Sequence, residues 1–270
     1  MGTNELQTWL EWGDAHKTNA IGEYGQGGKA AMGYLGNSWV VLCKRWDEPW
    51  LWEIRENNWS DTTVDQKKYK AEATKFDGKS DTGYCNFQIR KLKKHRLDMK
   101  RIKETLSNTY RKLLENGEAT ILMNGEPISP LSIPLYDGYE TQSFKEKTSN
   151  HMVLEGWIGR LKRDARVKDG TKIAGGLRLL RKGRLIKEGE YFGHRDFKYK
   201  ASLGTLIGEV ELPKVPVLPN KTGFDTDSSD WEEVRKNMYK ILKPHIDELL
   251  NERDEDIVSR EEKNVYRRRG

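Results

Sequence analysis

The stretch IGEYGQGGKAA, at residues 21–31, decides how the rest of this chain is interpreted. Four glycines fall within seven residues, and a helix-forming sequence follows them. Glycine lets backbone amides approach a ligand closely, and the first amides of a helix attract a phosphate group. Lys29, just inside the expected helix, adds a mobile positive charge. The stretch predicts a polyphosphate-binding loop; a glycine-rich turn that binds nothing is the plain alternative.

Two common phosphate-binding patterns do not match this stretch. A P-loop has Ser or Thr after its lysine, whereas Ala30 follows Lys29, and a dinucleotide fingerprint reads G-x-G-x-x-G after a buried strand. The order here, G-x-x-G-x-G-G, resembles the third ATP-binding motif of the GHKL superfamily, which includes gyrase B, heat-shock chaperone ATPases, histidine kinases and MutL. The form G-G-K-x-A is most similar to the MORC and SMC-hinge-containing branch.

The resemblance implies a set of residues around the phosphates of ATP. Lys17 matches the lysine of the ATP lid in the MORC branch, although an exposed polar loop is the alternative at that position. The residues that the resemblance places at the phosphates are Lys17, Gly22, Gly25, Gln26, Gly27, Gly28 and Lys29.

The first residues, Met1-Gly2, resemble the tail end of the acidic D-x-G-x-G motif that holds adenine in the family. The Asp of that motif, the general-base Glu and the magnesium-binding Asn have no counterpart in these 270 residues. The resemblance therefore implies either part of a longer protein or a degenerate relative, and leaves open whether this chain is an enzyme. ATP and magnesium are the expected cofactors, with the magnesium ligand outside this chain.

The net charge of +6 is unevenly distributed along the sequence. Residues 151–200 contain 14 Lys and Arg against 6 Asp and Glu. Such a segment suits nucleic acid or nucleotide phosphate, and a solvated sheet face is the alternative.

Cys43 and Cys85 are the only cysteines, too few for a disulfide framework or a metal site, so a reducing compartment is expected. We recognise no signal peptide and no apolar run long enough to span a membrane. The sequence thus predicts an intracellular protein, nuclear if eukaryotic and otherwise cytoplasmic, with no membrane partner.

The first third of the chain predicts strands at 39–43, 50–54 and 83–90, with a loop or weak hairpin over 60–82. The strand at 83–90 resembles the fourth GHKL motif, but Tyr84 stands where the family usually has Thr. The basic run at 90–96 predicts a junction between strand and helix, or a nuclear-localisation or phosphate-contacting segment.

The remaining sequence alternates helix and strand signals. A helix with Ile102, Leu106, Tyr110, Leu113 and Leu114 on one side is expected to end at Asn116-Gly117. Strands are predicted at 119–123, 152–159 and 205–212, and as a pair across a Lys-Gly turn within 176–186. A last helix is predicted from Ser229 or Asp230, ended or kinked near Lys243 by Pro244, with a disordered charged tail or linker from Asn251.

This order of elements resembles the transducer domain with a ribosomal-protein-S5-like fold found in gyrase B, MutL and MORC. In that domain a loop lysine reaches the γ-phosphate of ATP, and Lys221 in the segment PNKTGF is the matching residue. The resemblance gives Lys221 a catalytic role; the alternative is an exposed loop lysine.

The predicted fold class is α+β. The C-terminal part of a Bergerat-type ATP-binding α/β sandwich is expected over 1–95, an S5-like transducer over 96–250, and a charged tail or linker over 251–270. The implied function is the ATP-binding module of a GHKL-type ATPase, which in the complete protein converts ATP and water to ADP and phosphate. Such a module is expected to act as a nucleotide-gated homodimeric clamp on DNA or chromatin. The alternative is a degenerate, non-catalytic module that uses its basic surface for nucleic acid or a protein partner.

Overall fold

A computed structural model of the chain describes residues 27–59, 71–76, 82–94, 97–162, 173–194 and 203–268, excluding the side chains of Lys29, Leu203 and residues 253–268. The described residues form a mixed α+β protein, as the sequence predicts. The chain divides into two compact units, Met1–Leu97 and Asp98–Gly270.

The first unit contains one described helix and one antiparallel sheet, in the order β3-β2-β1-β4. Its elements are α1 (Gly27–Leu35), β1 (Gly36–Lys44), β2 (Trp50–Glu56), β3 (Ala71–Lys75) and β4 (Tyr84–Leu92). The three predicted strands are confirmed as β1, β2 and β4. The region expected to be a loop or weak hairpin contributes β3, which pairs with β2.

The core of the first unit lies between α1 and one face of this sheet. Every second residue of β1 from Trp39 to Cys43 points into it, because side chains alternate along a strand. Met32 of α1 and Ile54 of β2 complete the buried cluster. Trp39 lies in this core, and Trp52 of β2 packs against it.

The second unit is built on a five-stranded sheet in the order β10-β9-β11-β8-β7. Among the described pairs of neighbouring strands in this sheet, only β9 and β11 run parallel. The elements of this unit are α2 (Met99–Thr109), α3 (Arg111–Glu115), β5 (Leu122–Met123), β6 (Glu126–Pro127), β7 (Gln142–Lys147), β8 (Val153–Arg160), β9 (Gly176–Arg181), β10 (Arg184–Glu190), a 3-10 turn (Leu203–Thr205), β11 (Leu206–Glu211) and α4 (Ser229–Arg268).

Helix α4 covers one face of the five-stranded sheet. Its apolar side chains recur three or four residues apart and are buried against strand residues such as Leu179 and Val210. The buried residues of α4 are Trp231, Val234, Met238, Leu242, Ile246 and Leu249. Burial of this stripe, rather than intrinsic helix propensity, stabilises the helix.

Helix α4 continues through Pro244 to Arg268, so it does not end near Lys243, which was one of the two predicted effects of Pro244, and residues 251–268 are helical where the sequence predicts a disordered tail or linker. Proline removes one backbone hydrogen bond, to the carbonyl four residues earlier. Both Pro244 and Lys240, whose carbonyl loses its partner, are exposed, so water can satisfy that group. Leu242 and Ile246 stay buried on the other side and hold the helix to the sheet.

The predicted Lys-Gly turn and a second turn, at Asn124-Gly125, have the backbone that two-residue hairpins require. Lys182 and Gly183 have φ angles of 51° and 71°, and Asn124 and Gly125 have φ angles of 54° and 87°. Positive φ at both central residues matches the right-handed twist of the flanking strands. The predicted strand over 119–123 is shorter than expected, since only Leu122–Met123 pairs.

The helix expected to run past Tyr110 is divided there into α2 and α3, because Tyr110 leaves the helical region at φ −107° and ψ 16°. Arg111, the first residue of α3, contacts Glu209 on the sheet face opposite α4. This contact is a tertiary one between distant parts of the chain, so the helical spacing of apolar residues does not encode it.

Glu209 is only 3% exposed and accepts hydrogen bonds from two arginines. Arg111 Nε lies 2.9 Å from Glu209 Oε1, Arg111 Nη2 binds the other oxygen, and Arg178 Nε lies 3.1 Å from Oε1. Trp157 Nε1 adds a contact of 3.3 Å to Oε2. Burial would raise the pKa of Glu209, but the hydrogen bond and charge of Arg111 and the charge of Arg178 outweigh it, and the pKa is lowered.

We expect Glu209→Gln to lower the free energy of unfolding of the chain by about 3 kcal/mol, since both arginines lose the buried counter-charge that they share and keep only exposed acidic partners. Glu115→Gln is the matched control, because Glu115 also pairs with Arg111 but is exposed, and its effect should be within about 0.5 kcal/mol. Urea denaturation of the three proteins measures both values.

The stabilisation contributed by Glu209 changes with pH in a direction that its lowered pKa determines. The folded pKa of Glu209 lies below its ordinary 4.5, so its stabilisation is present above that pH and is lost as the pH falls through the folded value. The stability difference between wild type and Glu209→Gln should therefore shrink in acid. A difference that grows in acid would contradict this assignment.

Candidate nucleotide site

The described part of the glycine-rich stretch opens a helix, as the sequence predicts. Gly27 and Gly28 are the first two residues of α1, and Lys29 follows them. The other residues assigned to the phosphates, Lys17, Gly22, Gly25 and Gln26, lie outside the described residues, as does the side chain of Lys29.

Gly27 and Gly28, at the start of α1, have no other described residue packed against them. Both are exposed, and a Cβ built on either would meet no atom of another described residue within 4 Å. Neither has a positive φ, so neither backbone conformation requires glycine. Contacts among the described residues therefore do not explain these two glycines, whereas close approach of a ligand to the backbone would.

Gly33, one helical turn further along, is explained by packing. A Cβ there would lie 2.2 Å from the indole ring of Trp59, so the ring lies directly against the helix backbone. Trp59 in turn contacts Trp39 of β1, with 6.3 Å between ring centroids. Packing against Trp59 thus explains the glycine at position 33, but not those at positions 27 and 28.

Lys93 holds the C-terminal end of α1. Its Nζ donates a hydrogen bond of 2.7 Å to the carbonyl of Gly33, and its backbone amide donates one of 3.0 Å to the carbonyl of Leu35. The last carbonyls of a helix have no partner within the helix and carry a partial negative charge, so a lysine there is favourable. Sequence reasoning did not assign this role to Lys93, because the contact joins residues sixty positions apart.

The basic run at 90–96 is a junction between strand and helix in its described part, as one of its two interpretations predicts. Lys91 Nζ donates a hydrogen bond of 3.2 Å to the carbonyl of Asn57, and Arg90 donates one of 2.9 Å to Gln88. Tyr84, at the position likened to the fourth GHKL motif, begins β4 and is 44% exposed.

Lys221 lies in a tight loop of the second unit and has a left-handed backbone, with φ 56°. Its amide donates to the carbonyl of Leu218 at 2.7 Å, and the amide of Leu218 donates to Gly223 at 2.9 Å. The side chain of Asn220 accepts from Thr222 at both the amide and the hydroxyl. The loop presenting Lys221 is therefore defined by its own hydrogen bonds.

Much of the basic segment 151–200 that the structure describes serves the fold. Arg178 is buried against Glu209 and Glu188, and Arg160 is buried against Glu248 and Glu252 of α4. Lys187 pairs with Glu190, and Arg184 lies over the ring of Tyr110 at 5.8 Å. Nucleic-acid contact by the remaining basic residues, several of which lie outside the described ranges, stays a proposal.

Within the described residues, no group of three or more His, Cys, Asp or Glu side chains is arranged to hold a metal ion. No helix in the part of the chain that was described is long and apolar enough to cross a membrane.

No protein-family model matches the sequence, and no curated protein matches it. Among solved structures, the chain is similar to the ATPase region of Saccharomyces cerevisiae topoisomerase II, with a TM-score of 0.49 and 12% sequence identity. The similarity covers 92% of this chain and 70% of that chain. A similarity at this level does not assign a function.

We expect Lys93→Met to loosen the C-terminal end of α1, because methionine keeps the apolar stem but cannot donate to the Gly33 carbonyl. The loss of a charged hydrogen bond should lower the stability of this segment by about 1.5 kcal/mol. Hydrogen exchange of the α1 amides measures it directly. Lys94→Met is the matched control, since Lys94 is exposed on the same run; equal exchange in both variants would show that Lys93 does not hold the helix.

Proposed function

We propose that this chain is the ATP-binding module of a GHKL-type ATPase, binding nucleotide phosphates at the start of α1. The proposed activity is nucleotide binding, because the general-base Glu and magnesium-binding Asn of the family have no counterpart in these 270 residues.

One observation carries the proposal. The GHKL-like order of glycines ends on the first turn of a helix, at two glycines that neither packing nor backbone conformation explains within the described residues. The first amides of a helix lack intrahelical acceptors and lie at the positive end of the dipole. No acidic side chain lies in the first turn of α1 to compete for them. An anionic oxygen placed there would be stabilised by several N–H groups together.

We assign the remaining residues by their match to the family. Lys17 would contribute from the lid, Lys29 from the first turn of α1, and Lys221 from the loop of a transducer with an S5-like fold. A cation beside the transferred phosphoryl group stabilises charge on its oxygens and reports the loss of that charge on hydrolysis. Tighter binding of ATP to a closed state would drive homodimerisation, and a clamp on DNA would follow from that closure.

We expect this chain to bind a non-hydrolysable ATP analogue with magnesium saturably, and Gly28→Ala to weaken that binding at least about tenfold, or roughly 1.4 kcal/mol. The added methyl group meets no other described residue within 4 Å and fits a helical backbone, so it should leave stability equal or slightly higher. Loss of affinity without loss of stability would therefore report the close approach of the ligand. Titration calorimetry and thermal unfolding measure the two quantities.

Two further variants make this experiment specific. Lys29→Ala should also weaken binding, because it removes a positive charge from the first turn. Gly204→Ala is the matched glycine control, since a Cβ there also meets nothing within 4 Å but the residue lies in the second unit. If Gly28→Ala binds the analogue as tightly as Gly204→Ala does, the phosphate role of α1 is wrong.

The role of Lys221 gives a separate prediction. Lys221→Asn removes the charge while keeping a residue that tolerates the left-handed backbone at φ 56°. We expect it to weaken binding of the ATP analogue about tenfold, as removal of one charge-assisted hydrogen bond would, and to leave binding of ADP nearly unchanged. Lys214→Met, an exposed lysine on the same connecting segment, is the control. Equal losses for ATP analogue and ADP would exclude a γ-phosphate contact.

A further inference from the structure

The two cysteines of the chain face each other across neighbouring strands. Cys43 on β1 and Cys85 on β4 are direct partners in the antiparallel register, and their Sγ atoms lie 2.8 Å apart. Both are thiols in this structure, with no disulfide between them. They are the only two cysteines in 270 residues and lie 42 positions apart in sequence. Core packing in the first unit does not explain why they meet, since Cys85 is exposed.

We propose that Cys43 and Cys85 form a reversible cross-strand disulfide by exchange with a small disulfide of the glutathione class. Directly opposed residues of an antiparallel pair have Cα atoms about 4.5 or 5.5 Å apart. Both separations fall within the range of about 4.4–6.8 Å that a disulfide bridges. The bond can therefore form without changing the strand register.

The two thiols have different surroundings, which sets the order of the reaction. Cys85 lies on β4, an edge strand of the four-stranded sheet, and is exposed to a reagent in solution. Cys43 is 1% exposed. Burial, followed by the hydrogen bond with Cys85, raises the pKa of Cys43 to about 12, so this thiol stays protonated at neutral pH. Cys85 is thus the thiol that attacks the reagent and Cys43 the one that resolves the intermediate.

The reaction balances as two exchange steps. The thiolate of Cys85 attacks one sulfur of oxidised glutathione, forming a mixed disulfide and releasing one glutathione thiolate. Cys43 then gives up its proton, which the released thiolate or water accepts, and attacks the Cys85 sulfur, displacing the second glutathione. The two cysteines lose two electrons, and one molecule of oxidised glutathione becomes two of the thiol.

The bond would tie β4 to β1 at the end of the pair away from α1. The register runs from Gly36 opposite Leu92, next to the helix, to Lys44 opposite Tyr84 at the far end. The chain between the cysteines contains β2 and β3, so closing this loop restricts the unfolded chain and stabilises the sheet. Formation of the bond requires no nucleotide.

The test incubates the full chain in defined mixtures of oxidised and reduced glutathione and measures intact mass under non-reducing conditions. We expect a monomer about 2 Da lighter than the reduced chain, as two hydrogens are lost. Digestion should give one peptide pair linking Cys43 to Cys85, and reduction should reverse both results. The oxidised chain should also melt at a higher temperature than the reduced chain.

Single variants separate the two roles. Cys43→Ser should accumulate a stable mixed disulfide with glutathione on Cys85, because the resolving thiol is gone, whereas Cys85→Ser should take up none. Circular dichroism checks that each variant is folded. If a variant does not fold, the peptide mapping of the wild-type chain decides the question. A wild-type chain that stops at the mixed disulfide, forms only disulfide-linked dimers, or remains a dithiol throughout would overturn the proposal.

Discussion

The carboxylate of Glu209 is the interaction on which the second unit depends. It lies on the central strand β11 and binds Arg178 on the neighbouring strand β9 and Arg111 on helix α3. Arg178 also contacts Asn108 of α2 and Glu188 of β10. The helices before the sheet are therefore held to it by hydrogen-bonded charges, whereas α4 is held to the opposite face by apolar contacts. A buried charge network tolerates the loss of a member poorly, because each remaining charge stays out of water.

The first unit depends on how α1 is held to the sheet through its middle and its C-terminal end. Met32 is buried in the core, the ring of Trp59 lies against Gly33, and Lys93 donates to the last carbonyls. All three contacts act on the middle and the C-terminal end of the helix. Within the described residues, a Cβ added at Gly27 or Gly28 in the first turn would meet no atom within 4 Å. The described packing contacts of α1 therefore lie away from its first two residues.

The number of basic residues in a segment of sequence does not show which of them are paired with acidic residues in the folded protein. The surplus of Lys and Arg over 151–200 is a property of the sequence, and it fits a nucleic-acid surface as well as a sheet face. Arg160 and Arg178 have acidic partners on other elements, contributed by α4 and by β10 and β11. Those partners are distant in sequence, so a local charge count cannot include them. The same holds for Lys93 and its acceptor on α1.

The sequence by itself determined the elements whose signals are local. The alternation around Trp39–Cys43, the Lys182-Gly183 turn, the apolar stripe of α4 and the opening of a helix at Gly27 all follow from periodicity, turn chemistry and glycine. Only the tertiary structure decided the break at Tyr110, the passage of α4 through Pro244, the cap from Lys93 and the opposition of Cys43 and Cys85. Each of these features depends on which distant segments meet. Burial and long-range contacts outweighed the tendency of Pro244 to end a helix and the tendency of the residues around Tyr110 to continue one. The start of α1 depends on both: the sequence supplies Gly27 and Gly28, and the described part of the fold packs no atom against them.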